Sequence, residues 1–307
     1  MKVIMKVAAR GLARRRNLNR ARRLGNWSIR KASNQGSGAI VAVVVANEWK
    51  QVGEEFLEYY RNLGVEHFIV LSRTAQAFEG NDVTDFQVPE NIAFIDALNG
   101  VSASLCDGSW VLFLCAGEYV VYPFMDTRNL HELAGHLEDD RRSVMHAVTV
   151  DVSGDSEVAF AQGSGVVYFQ SYGYYQTLDD KGRLSVYRGV DRENTSQRLP
   201  EKERLNGPVF CKWKAHYAFS VFRGRVWPPH LNEAHKLHNV SVSGVVLRHP
   251  PDRDVGGTGA FPGELGMENI QLEPLSRDRA RLAGLFTKYD GWRQLFDLGF
   301  LHPGRWV

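Results

Sequence analysis

The chain has 307 residues, of which 44% are hydrophobic and 23% charged. This is the composition of an ordinary soluble protein with room for one large α/β domain or two smaller ones. It excludes collagenous and low-complexity chains, and no apolar run reaches the ~18–20 residues of a membrane span. The formal net charge of +2 hides an asymmetry: residues 1–31 carry eleven Lys or Arg and no Asp or Glu, so the remaining 26 basic residues face all 35 acidic ones, a net of −9.

In the basic segment, Arg14, Arg15, Arg16, Arg20, Arg22 and Arg23 alternate with a thin scatter of Val3, Val7, Leu12, Leu18 and Leu24. It lacks the continuous apolar core of a secretory signal. Residues 1–37 are read as a flexible basic arm, with a weak interfacial helix or an organelle transit peptide as alternatives. Its charge suits an anionic membrane surface, where each basic residue adds ~1 kcal/mol. Nucleic acid ranks last as a partner, because the rest of the chain is acidic and does not interleave aromatic and basic residues.

After Gln35-Gly-Ser-Gly38 the run Ala39–Val45 is apolar and β-branched, as expected of a central parallel strand covered on both faces. Asn47 and Glu48 follow it, placed either to cap the next helix or to meet a ligand. Val52, Phe56, Leu57, Tyr60 and Leu63 recur at helical spacing, and Gly64 stands where a helix-ending glycine belongs. A second strand is predicted at His67–Leu71. A third is predicted at Ile92–Ile95 after a polar stretch, then a short helix around 97–105 and a strand from Trp110. This β-α-β-β-α-β order builds a Rossmann-like sheet. The run 110–122 ends in a turn presenting Glu118, ahead of Pro123, at the edge where open α/β sheets bind ligands.

From 143 to 169 the pattern changes to short alternating strands at 143–150 and 165–169, which implies a mixed sheet. Residues 251–275, rich in Gly and Pro, read as a long loop or lid. Ser276 is placed to cap a terminal helix bearing Leu282, Leu285, Phe286 and Tyr289. Cys106, Cys115 and Cys211 form no C-x-x-C pair, so neither a disulfide framework nor a zinc site is expected and a reducing compartment fits best; Cys106 and Cys115, in or beside apolar sequence, are expected to be buried, inert thiols. The histidines at 235 and 238 lack H-E-x-x-H, and neither Gly163-Ser-Gly165 nor Gly256-Gly-Thr-Gly259 is a phosphate loop.

Several stretches then fall into a recognisable order: Ala46-Asn47-Glu48, Leu63 to Phe68, Trp110 to Pro123, Tyr174 to Asp179, Tyr187 to Arg192, and Leu205 to Trp213. Pro229-His230, Leu247-Arg248-His249 and Tyr289 to Phe300 complete it. From about residue 39 to the end, this order resembles that of bacterial family 2-like glycosyltransferases of the GT-A type. The resemblance implies an α/β fold: a GT-A-like Rossmann-type nucleotide-binding mixed sheet flanked by helices, with a C-terminal helical extension. Residues 38–125 would form the nucleotide-sugar half and 126–250 the acceptor-side half of the same domain, with the loop and extension at 251–307.

It further implies transfer of a sugar from a nucleotide diphosphate to a glycan or other hydroxyl acceptor, in cell-surface polysaccharide or glycoconjugate synthesis. The expected location is cytoplasmic, including the inner face of the membrane. Asn47, Glu48, Glu118, Arg188, Arg192 and Lys212 would contact the nucleotide sugar, and Glu118 with His230 would hold Mn or Mg. Asp191 and Glu193 are the candidate catalytic bases, a role worth ~10²–10⁴ in rate.

Two departures qualify this picture. Cys115 and Gly117 stand where the family's D-x-D aspartates would, and Leu71–Ala75 lacks the carboxylates that help bind the nucleotide. The chain could therefore neutralise a diphosphate without metal, through Arg188, Arg192, Lys212 or Lys214. Alternatively, it is a catalytically inactive relative that serves as a binding or scaffold protein.

Overall fold

Strand β1, Ile40–Val45, is buried along its whole length. In the computed structural model, the described residues are 38–46, 52–74, 76, 78, 80–154, 167–170, 174–178, 184–188, 206–215, 217–222, 225–227, 242–248, 286–304 and 306. Packing divides the chain into two compact units. The first takes Met1–Ala116, Leu130–Ala134 and Pro208–Leu231, and the second Gly117–Asn129, Gly135–Gly207 and Asn232–Val307.

In the first unit β1 lies parallel to β2 (His67–Ser72) on one side and to β4 (Trp110–Cys115) on the other. β2 in turn carries β3 (Val83–Gln87) in parallel. In the order β3-β2-β1-β4 the strand order reverses between β1 and β4, as it does in doubly wound sheets. The third strand is Val83–Gln87, not the predicted 92–95. Phe94 and Ile95 instead open helix α2 (Phe94–Val101), whose buried positions Phe94, Ala97, Leu98 and Val101 keep helical spacing.

Helix α1 (Glu54–Asn62) buries Phe56, Leu57 and Tyr60. Acidic Glu54 and Glu55 in its first turn and Arg61 in its last match the helix dipole. Gly64 ends it at φ 95°, with its N–H on Arg61 O (2.9 Å) and the Val65 N–H on Tyr60 O (3.0 Å). These paired bonds make a Schellman stop, which needs a residue tolerant of positive φ. Arg61 also donates to Asp82 (2.7 Å) and pairs with Glu54, tying the helix to the run into β3.

Antiparallel to β4 lies β10 (Asn206–Lys212). The segment after it is held by side chains. Fully buried Trp213 packs on Phe219 (5.3 Å) and Tyr217 (5.9 Å). Buried Asn99 of α2 treats the Phe219 backbone as a strand partner, accepting from its N–H (2.8 Å) and donating to its carbonyl (3.1 Å). The hairpin of β11 (Ser220–Phe222) and β12 (Arg225–Trp227) follows.

The second unit contains β5 (Glu118–Val121), β6 (Val144–Gly154), β7 (Val167–Gln170), β13 (Ser243–Arg248) and β14 (Phe286–Lys288). β13 runs antiparallel to β5 and parallel to β6, while β7 lies antiparallel to β6 and β14 antiparallel to β7. A separate hairpin joins β8 (Tyr174–Leu178) to β9 (Leu184–Arg188).

The predicted terminal helix reaching Tyr289 is corrected in its described part. Residues 286–288 pair as a strand, Gly291 interrupts at φ 108°, and the helix, α4, spans Trp292–Asp297. Its predicted cap, Ser276, and the predicted lid at 251–275 lie outside the described residues, as does the arm at 1–37. Among the described residues no helix is long and apolar enough to cross a membrane. The architecture is α/β, a mixed sheet with few helices.

Candidate functional site

Where strand order reverses, the carboxyl ends of β1 and β4 come together. The ladder extends one residue further, with the Ala46 N–H on Leu71 O (2.8 Å) and the Ala116 N–H on Val45 O (2.9 Å). This is the edge at which such sheets bind ligands. Cys115 stands there, half-buried and next to Val45 in register. Asn47 and Glu48, expected to contact a nucleotide, lie outside the described residues.

Just after β2, Arg73 is committed to structure. Its guanidinium donates to the carbonyls of Val88 (3.3 Å), Pro89 and Ile92 (2.9 Å) and lies 4.5 Å from the Phe94 ring. A carboxylate from a neighbouring strand does approach the end of β2. Asp85 of β3 lies 3.2 Å from the hydroxyl of buried Ser72 and accepts from the Gln76 N–H (3.3 Å). Burial raises the Asp85 pKa above the usual carboxylate value. Sequence reasoning missed this residue, because only the parallel register of β2 with β3 brings it to Ser72.

In the second unit, Glu118 opens β5 with 6% exposure. Its register partner on β13 is Arg248, whose partner on β6 is Asp151, 5% exposed. Register partners share a sheet face, so one guanidinium position stands between two carboxylate positions across three strands. Nε and Nη2 of Arg248 both reach Asp151 Oδ1, at 3.2 and 3.0 Å. The row carries one positive and two negative groups.

Such a row is a poor fit for a divalent ion. Mg and Mn prefer several oxygen ligands, whereas Glu118 already neighbours a guanidinium position, and among the described residues no three His, Cys, Asp or Glu converge. His230, its expected partner, lies outside the described residues.

Of the other predicted site residues, Lys212 is half-buried at the end of β10, in register with Trp110. It therefore sits at the amino-terminal end of β4, five residues from Cys115, which at ~3.3 Å per residue is the wrong end of the sheet for a ligand at the switch point. Lys214 is exposed and lies 5.8 Å from the Tyr217 ring. The backbone of Arg188 closes β9 opposite Tyr174, while Asp191, Arg192 and Glu193 lie outside the described residues. Glu118 and Lys212, the two predicted residues with described side chains, belong to different units.

Of the thiols, Cys211 is fully buried and its pKa is pushed up to about 12 by that burial, which leaves it inert. Cys106 and Cys115, expected to be buried, are only half-buried. No family model matches this chain, and no curated protein is detectably similar to it.

Proposed function

We propose that the chain is a nucleotide-sugar-dependent glycosyltransferase of the GT-A type, related to bacterial family 2 enzymes, acting on a hydroxyl acceptor in surface polysaccharide or glycoconjugate synthesis. The observation that carries the reading is the parallel β3-β2-β1-β4 order. It coincides with the ordered sequence anchors, and the Val45-Ala46 end of β1 lies beside the Cys115-Ala116 end of β4, where the Asn47-Glu48 anchor follows in the sequence. A nucleotide would lie across the carboxyl ends of β1 and β4, with Asn47 and Glu48 contacting it. Where Mn or Mg is bound, it would polarise the departing diphosphate. The pairing of Glu118 with Arg248 in register favours the form that works without it. Arg188 and Arg192 are then the cations assigned to the diphosphate, and Asp191 or Glu193 the base that deprotonates the acceptor. Lys212 has no part in this scheme.

The same row favours a second reading, a catalytically inactive relative that keeps the nucleotide pocket for binding or scaffolding. Thermal unfolding with UDP, GDP and their sugars, each with and without Mn or Mg, tests both. A donor at ~100 times its Kd adds ~2.7 kcal/mol. Stabilisation with sugar release from the donor supports the transferase, and stabilisation without turnover on any donor supports the inactive relative. No stabilisation by any nucleotide rejects both.

A further inference from the structure

The last described residues form a strap over the second unit. Ser243 N–H donates to His302 O (2.8 Å), Trp292 Nε1 donates to Asp126 (3.0 Å) over the Phe124 ring (4.8 Å), and nearly buried Trp306 closes the run. Trp306 is held from three sides. Its ring stacks on His136 of helix α3 (Leu130–Asp139) at 5.6 Å and 20°, and on Tyr122 at 6.2 Å and 26°. Arg128 places its guanidinium 5.0 Å from the indole and 4.9 Å from Phe124, and is itself fixed through its carbonyl by the Tyr122 hydroxyl (2.9 Å).

The flat His136–Trp306 stack suits a neutral imidazole. Nε2 of His136 is buried and, among the described residues, finds no hydrogen-bond partner. The ring as a whole is half-buried, but a proton on Nε2 would find no acceptor among the described residues, which disfavours the charged form in this position. Arg128 already holds one positive charge 5.0 Å from the same indole, and a second charge on His136 would be repelled by it.

We propose that His136 is the catch of a pH-sensitive clasp, and that its protonation in mild acid releases Trp306 and the strap behind it, uncovering Tyr122 and Phe124.

Among the described residues, every charged group facing the catch has a definite sign. Desolvation lowers the pKa of His136, Arg128 lowers it further, and Asp139 and Asp140 at the end of its own helix pull it up, with the net shift downward. On the 122–128 run, Asp126 is occupied by Trp292 Nε1, and from the strap itself Trp306 brings no charge. His302 is turned into its own turn, its Nδ1 accepting from the Gly304 N–H. Because the folded-state value is depressed, the clasp is fully closed above the ordinary histidine pKa of ~6.5 and weakens as pH falls from there through the lowered value, by up to about tenfold per unit.

Hydrogen exchange of the full chain, corrected for the intrinsic pH dependence of exchange, reads this directly. The expected result is about tenfold or greater loss of protection over residues 292–306 between about pH 7.5 and pH 5, with the β1 and β2 amides unchanged. In His136→Phe, which keeps the stack but cannot take a proton, the strap stays protected at both values. An NMR titration of the His136 imidazole in the wild-type chain covers the case of a variant that does not fold: its midpoint must coincide with that of strap release, and Trp306→Ala must move it back toward ~6.5. Constant protection down to pH 5, a pH-dependent loss that persists in His136→Phe, or non-coincident midpoints would overturn the clasp.

Discussion

Arg248 shows how one side chain can decide what its neighbours are free to do. Held to Asp151 and in register with Glu118, it lies in a place where isolated carboxylates could not stay ionised without cost. Removing one partner of such a pair is worse than never having built it. Arg248→Ala should therefore lower stability by ~3–5 kcal/mol in urea unfolding, and a loss under ~1 kcal/mol would mean that the row is solvated. The turn at Ala116-Gly117 was legible in the sequence, and Gly117 takes φ 75° there. The guanidinium beside Glu118 was not, because nothing local in the chain couples residues 118, 151 and 248. They meet only through long-range strand register.

Legibility of the secondary elements followed burial. β1, β2 and β4 are covered on both faces and read as unbroken apolar runs. β3 lies at the edge of its sheet, and its Val-Thr-Asp-Phe-Gln sequence with only Phe86 buried looks like loop. Phe94 and Ile95 were misread for the opposite reason, since a short apolar run does not distinguish a strand from the first turn of a helix. At 286–289, helical spacing of Leu282, Leu285, Phe286 and Tyr289 was outweighed by pairing of β14 with β7. Contacts that join elements were invisible altogether, and Asn99 is the clearest case. Its amide fills the backbone partners of Phe219 across 120 positions of sequence. Asn99→Ala leaves that buried N–H and carbonyl unpaired, and at ~1–3 kcal/mol each the urea midpoint should fall by the equivalent of about 2–6 kcal/mol with the slope unchanged. An unchanged midpoint would show that water replaces the amide.

For the molecule as a whole, charge separates by position along the chain: eleven basic residues precede position 32 and an excess of acid follows. The expected outcome is binding of the full chain to vesicles containing anionic lipid, weakened by salt and lost when residues 1–31 are removed. Binding that survives the deletion would move the contact elsewhere. The acidic remainder should be repelled by the same vesicles, so the deleted chain serves as its own control.

Both compact units are discontinuous in sequence. β4 waits for β10, and β5 waits for β13 more than a hundred positions later to lie between it and β6. At ~5–20 residues per second, a ribosome would hold β5 and β6 without their shared neighbour for several seconds at least, with apolar edges such as Val120, Val121, Val148 and Val150 unpaired. Non-local pairing of this kind slows folding. The burden of this topology thus falls on biosynthesis, where chaperone demand and aggregation of truncated chains, more than the stability of the finished protein, would limit yield.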